Sequence, residues 1–249
     1  MYVHPLISSL PESVRQAVGS AAVLRSFRKS EIVLDVGQNC GSIYCVGSGL
    51  LRVVSTGSGD TDLTTHFLKP DEIHLGPDLT RKEYPSEVRL VAALPSSVYL
   101  VPRQYLRALC EAYPTVALTL LDITLGRIQT MGRQMRRVAT LSAEQIVGRA
   151  LFDLTQQRPD GTRVLDKRIP QSVIASYAGL SRPVVNKVVK EMEGKGLLQR
   201  ADDVFMLSER LGKSTDFDSL PPDSDSERAE GQSKYASPDF DMEIRGPRS

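Results

Sequence analysis

Short apolar stretches separated by turn residues fill the chain from Glu31 to Val101. Each stretch is three to seven residues long, most contain β-branched residues, and glycine, serine or proline residues separate them. Runs of this length, recurring about every ten residues, predict the strands of a β-sandwich or β-roll. The predicted strands are residues 32–34, 43–46, 50–54, 63–68, 88–94 and 98–101.

The pattern changes after Pro114, where apolar residues recur at alternating steps of three and four. Sustained over three heptads, this spacing is typical of a long helix whose apolar seam meets a partner helix. We interpret residues 114–140 as a dimerisation helix, in which Gly132 would let two backbones approach closely. The alternative is a helix that packs on its own domain. The seam consists of Leu118, Leu121, Leu125, Ile128, Gly132, Met135 and Ala139.

Two short amphipathic helices are predicted further along, after a helix that starts at a capping box in residues 142–145 (Ser-Ala-Glu-Gln). The two helices divide at Gly179, and we expect Ser181 to cap the second one, with Pro183 in its first turn. Apolar runs on either side of residues 199–203 predict a hairpin. The sequence therefore predicts a winged helix-turn-helix. Its apolar residues are Val173, Ile174, Tyr177 and Ala178 in the first helix and Val184, Val185, Val188, Val189 and Met192 in the second.

The polar face of the second helix carries the chemistry of a DNA reader. Arginine can bond guanine in two places, asparagine can pair with adenine, and lysines neutralise phosphates. The competing interpretation is a solvated basic surface, but the glycine turn and the capped second helix favour DNA. The predicted interface consists of Gln171, Ser172, Ser181, Arg182, Pro183, Asn186, Lys187 and Lys190.

Charge is unevenly distributed along the 249 residues, although the formal net charge is only +1. Residues 163–200 hold eight Lys or Arg against three acids, which suggests a polyanionic partner. Residues 213–249 hold five against nine, and their few apolar residues follow no period. We expect residues 212–249 to be a disordered acidic tail.

The composition argues against a membrane protein and against a secreted, disulfide-rich protein. No apolar run approaches the roughly 18 residues of a membrane span. The N-terminus lacks the pattern of a secretory signal, and three cysteines are too few for a disulfide scaffold. We therefore expect a cytoplasmic protein with no membrane partner. Its three histidines are scattered and no catalytic constellation is found, so neither an enzyme nor a metal site is predicted.

At this point the chain resembles the CRP/FNR family of bacterial transcription regulators. The likeness spans residues 6–211 and is strongest in the helix-turn-helix. It rests on the stretches 169–172 (Ile-Pro-Gln-Ser), 179–182 (Gly-Leu-Ser-Arg), 185–187 (Val-Asn-Lys) and 193–198 (Glu-Gly-Lys-Gly-Leu-Leu), and on Ala175. Pro183 stands where the family often has glutamate, so the base preference is not carried over.

The resemblance implies an α+β chain in four parts. These are an effector-like β-roll resembling a cyclic-nucleotide-binding domain (1–113), a dimerisation helix (114–140), a winged helix-turn-helix (141–211) and the tail (212–249). It also implies a homodimer that binds palindromic double-stranded DNA and works with RNA polymerase. The alternative is a β-roll that senses a nucleotide or small molecule and whose helix-turn-helix contacts proteins.

The resemblance also locates an effector site in the roll, where the sequence departs from the family. Cyclic-nucleotide members place Gly-Glu and Arg-Ser pairs there, whereas this chain has His74-Leu75 and Ser86-Glu87. A carboxylate near the phosphate position would repel cyclic AMP, so we do not expect it to bind in the usual way. Arg81 or Arg89 could instead serve a different nucleotide, including a cyclic dinucleotide. The implied effector contacts are His74, Leu75, Ser86, Glu87, Arg89, Gln134 and Met135.

Counting ligands tests other sensing chemistries. An iron-sulfur cluster needs four cysteine ligands, but the chain has only Cys40, Cys45 and Cys110, so no cluster is expected. His74 alone is weak support for haem, and we expect none. A redox switch between Cys40 and Cys45 stays open. The sequence thus leaves the effector unidentified.

Overall fold

Antiparallel strands make up most of the N-terminal half, as the short apolar runs predict. The computed structural model describes residues 4–56, 62–208 and 211. The strands of this half are β1 (Val23–Phe27), β2 (Ile32–Leu34), β3 (Asn39–Cys40), β4 (Ser42–Ser48), β5 (Leu51–Thr56), β6 (Asp62–Leu68), β7 (Ile73–His74), β8 (Tyr84–Pro85), β9 (Arg89–Ala92) and β10 (Ser96–Pro102). They form sheets in the orders β1-β10-β4-β7 and β2-β9-β5-β6 and a ribbon of β3 and β8.

The roll encloses a core because one side chain in two along its strands points inward. In the second sheet, Val53 lies opposite Leu90 and Leu51 opposite Ala92, and all four are buried. Full burial of a valine or leucine side chain contributes about 1.5–3 kcal/mol. This core therefore makes the roll a rigid support for the helices around it.

The described residues also form six α-helices. They are α1 (Glu12–Ala21), α2 (Arg103–Ala112), α3 (Pro114–Thr140), α4 (Ala143–Asp153), α5 (Gln171–Ala178) and α6 (Arg182–Gly194), preceded by a 3₁₀ turn at Pro5–Ile7. At 27 residues, α3 is about 40 Å long. Its buried Val116 and Leu120 belong to one cluster with Leu106 and Leu109 of α2. The start of α3 is thereby fixed to the roll.

The C-terminal part is a winged helix-turn-helix. Helix α4 begins with the predicted capping box, in which Gln145 N donates to Ser142 Oγ (3.3 Å) and Ser142 N donates to Gln145 Oε1 (3.0 Å). Helices α5 and α6 pack on α4 and on each other, and α6 also packs on strand β13 of a sheet in the order β11-β12-β14-β13. Its strands are β11 (Gln156–Gln157), β12 (Arg163–Asp166), β13 (Leu198–Ala201) and β14 (Val204–Leu207). Val185 and Met192 of α6 are buried in this core.

Helix α5 also packs against strand β6 of the roll. Ser176 Oγ donates to the carbonyl of Asp62 (2.8 Å) and accepts from the backbone N–H of Thr64 (2.9 Å). Beside it, the rings of Phe67 and Tyr177 meet edge to face, with centroids 4.9 Å apart. These polar and aromatic contacts join the roll to the helix-turn-helix.

The predicted fold class is confirmed, and the differences lie in individual elements. Helices α1 and α2 and strands β1, β3, β7, β8, β11 and β12 were not predicted. The wing strand β13 runs to Ala201, so the turn of the hairpin is shorter than residues 199–203. The predicted tail, 212–249, lies outside the described residues.

No single helix in the described part of the chain is both long and apolar enough to cross a membrane. The pair Arg103–Ala112 and Pro114–Gly132 passes on length and composition only when joined, and it is bent by 116°.

Candidate nucleic-acid interface

The turn between α5 and α6 sets the direction of the second helix. Gly179 ends α5 in the left-handed region (φ 65°), where a residue with a Cβ would be strained. Ser181 occupies the N-cap position of α6, but its side chain makes no capping hydrogen bond, so the predicted hydroxyl cap is wrong. Pro183 lies in the first turn, where its missing N–H costs no helical bond.

Helix α6 separates a buried face from a polar face. Val185, Val188, Val189 and Met192 are buried, whereas Arg182, Pro183, Lys187 and Lys190 are exposed and Asn186 is half-buried. Val184 is 37% exposed, which corrects its assignment to the apolar face.

The basic residues of this region differ in whether their charge is free. Arg200 pairs with Glu193 (2.9 Å) and Lys195 with Glu144 (2.6 Å), while Lys187 approaches Glu191 only to 3.9 Å. Within the described residues, no ion pair is found for Arg182 or Lys190. Arg182 and Lys190 therefore give α6 exposed positive charge that is not paired with a described carboxylate.

The remaining predicted contacts lie at the start of the two helices. Ser181 is exposed immediately before α6, beside Arg182. Gln171 is half-buried and Ser172 exposed in the first turn of α5. Ser172 also lines a cavity that faces the roll. The structure thus places Ser181 next to the polar face of α6, whereas Ser172 also faces a cavity shared with the roll.

The predicted seam of α3 faces away from the roll. Six large apolar side chains on this face are 48–77% exposed: Leu118, Leu121, Leu125, Ile128, Met131 and Met135. Gly132 is exposed among them, and a Cβ there would meet nothing within 4 Å. The opposite face, with Val116 and Leu120, packs on the chain's own domain. The seam is therefore not explained by intramolecular packing. The sequence analysis missed Met131 because this residue falls between two positions of the predicted seam. The structure does not describe the side chain of Ala139, the last predicted seam residue.

The implied effector residues differ in burial and in hydrogen-bond partners. Ser86 is buried, and its hydroxyl donates to the carbonyl of Val88 (2.7 Å). Glu87 is exposed, while Arg89 is held by Asp35 (2.7 Å) and lies 3.8 Å from Asp62. Met135 is 77% exposed, and the side chain of Gln134 lies outside the description. Two cavities are described, and none of the seven residues lines either of them.

A buried arginine holds together the loop that follows the implied effector pair His74-Leu75. Arg103 is 1% exposed, stacks over the Tyr84 ring (4.7 Å) and donates to the carbonyls of Leu75, Asp78 and Arg81. The Tyr84 ring in turn lies against Gly76 (φ 72°), where a Cβ would come within 2.2 Å of it. Sequence reasoning missed this cluster because its members are far apart in the chain.

His74 lies beside the same cluster. Its Nε2 is 3.5 Å from the Tyr84 hydroxyl, and burial lowers the pKa of His74 to about 4, helped by nearby His66 and Arg127. The imidazole ring of His74 is therefore uncharged at neutral pH, beside the positive charge of Arg127.

The cysteines are all free thiols. Burial raises the pKa of Cys45 to about 12, which keeps its sulfur protonated and weakly nucleophilic. Cys40 is buried and donates to the carbonyl of Ser42 (3.1 Å). Among residues 4–56, 62–208 and 211, no three His, Cys, Asp or Glu side chains come together as a metal site.

Comparison with known proteins adds two family matches. Residues 24–113 match the cyclic nucleotide-binding domain, and residues 147–210 match the Crp-like helix-turn-helix domain. The transcriptional activator protein FnrA of Stutzerimonas stutzeri is 25% identical over 191 residues, 76% of this chain and 78% of that protein. The transcriptional activator protein anr of Pseudomonas aeruginosa is 25% identical over 177 residues, 70% of this chain and 72% of that protein.

Solved structures share the fold. FixK2 from Bradyrhizobium japonicum superposes with a TM-score of 0.67 at 21% identity, covering 77% of this chain and 96% of that one. At this identity the likeness shows the arrangement of roll, long helix and winged helix-turn-helix, not the ligand.

Proposed function

The chain belongs to the CRP/FNR family of transcription regulators and carries a helix-turn-helix DNA-binding domain, and on this premise we propose that it is a homodimer that reads a palindromic operator. Helix α6 would enter the major groove, with Arg182 and Asn186 at base edges and Lys187 and Lys190 at phosphates. We propose that the protein acts in the cytoplasm and that its partners are DNA and RNA polymerase.

The observation that carries this proposal is the exposed basic face of α6, where Arg182 and Lys190 have no ion pair among the described residues. An α-helix fits the B-DNA major groove, and the N-terminal residues of a recognition helix contact the base edges. Arg182 and Pro183 are the first two residues of α6 and are exposed, while the buried valines anchor the opposite side. The basic helix end is therefore presented at a fixed angle, as a groove reader requires.

The dimer is supported by the apolar face of α3. Six exposed large side chains in a row are more than isolated surface hydrophobics, and such patches mark interfaces. A two-fold axis along two α3 helices would place two copies of α6 on one side of the assembly. Half-sites would then lie about 34–36 Å apart, one turn of DNA.

The roll is proposed as a sensor that does not bind cyclic AMP in the usual way. The hydroxyl of Ser86 donates to a backbone carbonyl, and the carboxylate of Glu87 follows it in the chain. Arg103 stacks on Tyr84 and donates to a backbone carbonyl of the adjoining loop. Another ligand, or no ligand at that position, fits these contacts better.

Selection of bound DNA from a random pool, with and without cell extract, tests the proposal. We expect an inverted repeat with half-sites one helical turn apart, and no enrichment by a variant carrying Arg182→Ala and Lys187→Ala. Arg107→Ala, on α2 and paired with Glu111 (2.9 Å), is the matched control that keeps selection. A pool without a consensus, or a single half-site, would contradict the proposal.

A further inference from the structure

A polar cavity of about 310 Å³ lies where α5 meets the roll. We call it the junction cavity. Strands β5, β6 and β9 contribute Arg52, Asp62 and Val91, and the first turns of α5 contribute Ser172, Val173 and Ser176. Its volume is at the lower end of the range typical of small-molecule sites, about 300–1,000 Å³. It is distinct from the loop that the family resemblance marks as the effector site.

Arg52 gives the junction cavity an incompletely compensated positive charge. Its side chain is only 18% exposed, and the nearest carboxylate oxygen among the described residues, Asp62 Oδ2, is 3.9 Å away. That distance is too long for a hydrogen bond. Within the described residues, no hydrogen bond from the Arg52 guanidinium is found, so its five donors have room for a ligand.

Asp62 cannot neutralise Arg52 fully because it is shared. Its other oxygen, Oδ1, is 3.8 Å from Arg89, which already holds Asp35 at 2.7 Å. Burial lowers the pKa of Arg52, as expected for a guanidinium withdrawn from water. An added anion would therefore meet donors for which the described residues show no hydrogen-bond acceptor.

The α5 side of the cavity supplies a hydroxyl and carries no acid. Ser172 is exposed and, in the described part of the chain, its hydroxyl has no hydrogen-bond partner. The first turn of α5 contains no acidic residue. Ser176, by contrast, is fully used by Asp62 and Thr64. Val91 and Val173 add apolar surface for the body of a ligand.

We propose that the junction cavity binds a small metabolite bearing a carboxylate or phosphate, with the anion on Arg52 and a further polar group on Ser172. Such a ligand would touch the roll and α5 together and would stabilise their contact. Its effect on operator affinity rests on the proposed function, because α5 positions α6. Binding itself does not, and it is measured without DNA.

Calorimetry on the full-length protein tests the site, with sodium pyrophosphate and sodium citrate as probes and sodium chloride at matched ionic strength as the blank. We expect saturable binding of at least one probe. Pyrophosphate binding indicates a phosphate ligand and citrate binding a carboxylate one. Absence of saturable heat from both probes at millimolar concentration overturns the proposal.

Matched variants locate the site. Arg52→Gln should weaken probe binding tenfold or more, the size of one lost charge-assisted contact. Arg107→Gln makes the same charge change at an exposed position of α2 and should leave binding unchanged.

Ser172→Glu should also abolish probe binding by charge repulsion, while Ser172→Gln tests size alone and should retain most of it. Both are exposed substitutions, and an acid in the first turn of a helix favours folding. Binding that survives both Arg52→Gln and Ser172→Glu would place the anion elsewhere and refute the assignment.

Discussion

Arg182 is the first residue of α6, its side chain is exposed, and it has no ion pair among the described residues. We predict that Arg182→Ala costs roughly 1–3 kcal/mol on specific DNA and relaxes discrimination at one base pair, because a bidentate contact to guanine is lost. Lys190→Ala should weaken all sequences about equally, since phosphate contacts carry no sequence information. Quantitative footprinting on the selected site and on single-base variants measures both. Unchanged affinity and selectivity in Arg182→Ala would remove α6 from the groove.

His66 and His74 make folding sensitive to acid. Burial lowers the pKa of each from 6.5 to about 4, and Arg127 beside both acts in the same direction. The unfolded chain therefore binds more protons than the folded chain between these pH values. Stability is fully present above pH 6.5 and is lost as the pH falls toward 4, by up to about 3 kcal/mol for each ring.

Urea unfolding across this pH range measures the effect. The double variant His66→Gln and His74→Gln should show a much shallower loss of unfolding free energy on acidification. Part of the slope should remain, because the pKa of His4 is also lowered by burial. An equally steep slope in the double variant would show that these rings are not the source.

At the scale of elements, α3 carries two different faces along its 27 residues. We predict that Ile128→Asp combined with Met135→Asp yields a monomer and abolishes tight operator binding. Buried unpaired carboxylates cost several kcal/mol, and each 1.4 kcal/mol is about tenfold in association. Sedimentation measures the mass. Thr119→Asp with Thr130→Asp, on exposed positions off the seam, is the control that should stay dimeric, and a monomeric control would show that helix disruption is responsible.

Elements with a strong period were predictable from the sequence, and those without one were not. The seam of α3 and the valines of α6 recur at helical spacing, so both helices were found. Strand β1 has four exposed residues out of five, which erases the alternation that reveals a strand. Helix α2 follows β10 without an intervening residue, so no loop segment separates the two elements.

The candidate sites also differ in whether the sequence alone could reveal them. The polar face of α6 was predictable because its residues are neighbours on one helix. The contact of Arg103 with Tyr84, and the junction cavity between β5 and α5, join residues far apart in the chain. Only the folded roll brings those side chains together.

For the molecule as a whole, we predict that cyclic AMP leaves operator binding unchanged. The phosphate would lack an arginine clamp and would meet the carboxylate of Glu87. One lost charge-assisted contact is worth about 1.5–3 kcal/mol, or one to two decades of affinity. Calorimetry with cyclic AMP, followed by operator titration in its presence, measures both steps. A micromolar dissociation constant with enhanced operator binding would show that the roll retains the usual nucleotide site.

Competition binding in solution tests most directly whether the protein is a dimeric reader of a palindrome. The full-length protein is titrated with the selected inverted repeat, with the same DNA carrying one scrambled half-site, and with a repeat whose half-sites are separated by an additional half turn. We expect the intact repeat to bind about 10³-fold or more tighter than random DNA at physiological salt, and both altered repeats to lose most of that advantage. Equal affinity for the intact repeat, the altered repeats and random DNA would contradict dimeric, sequence-specific recognition.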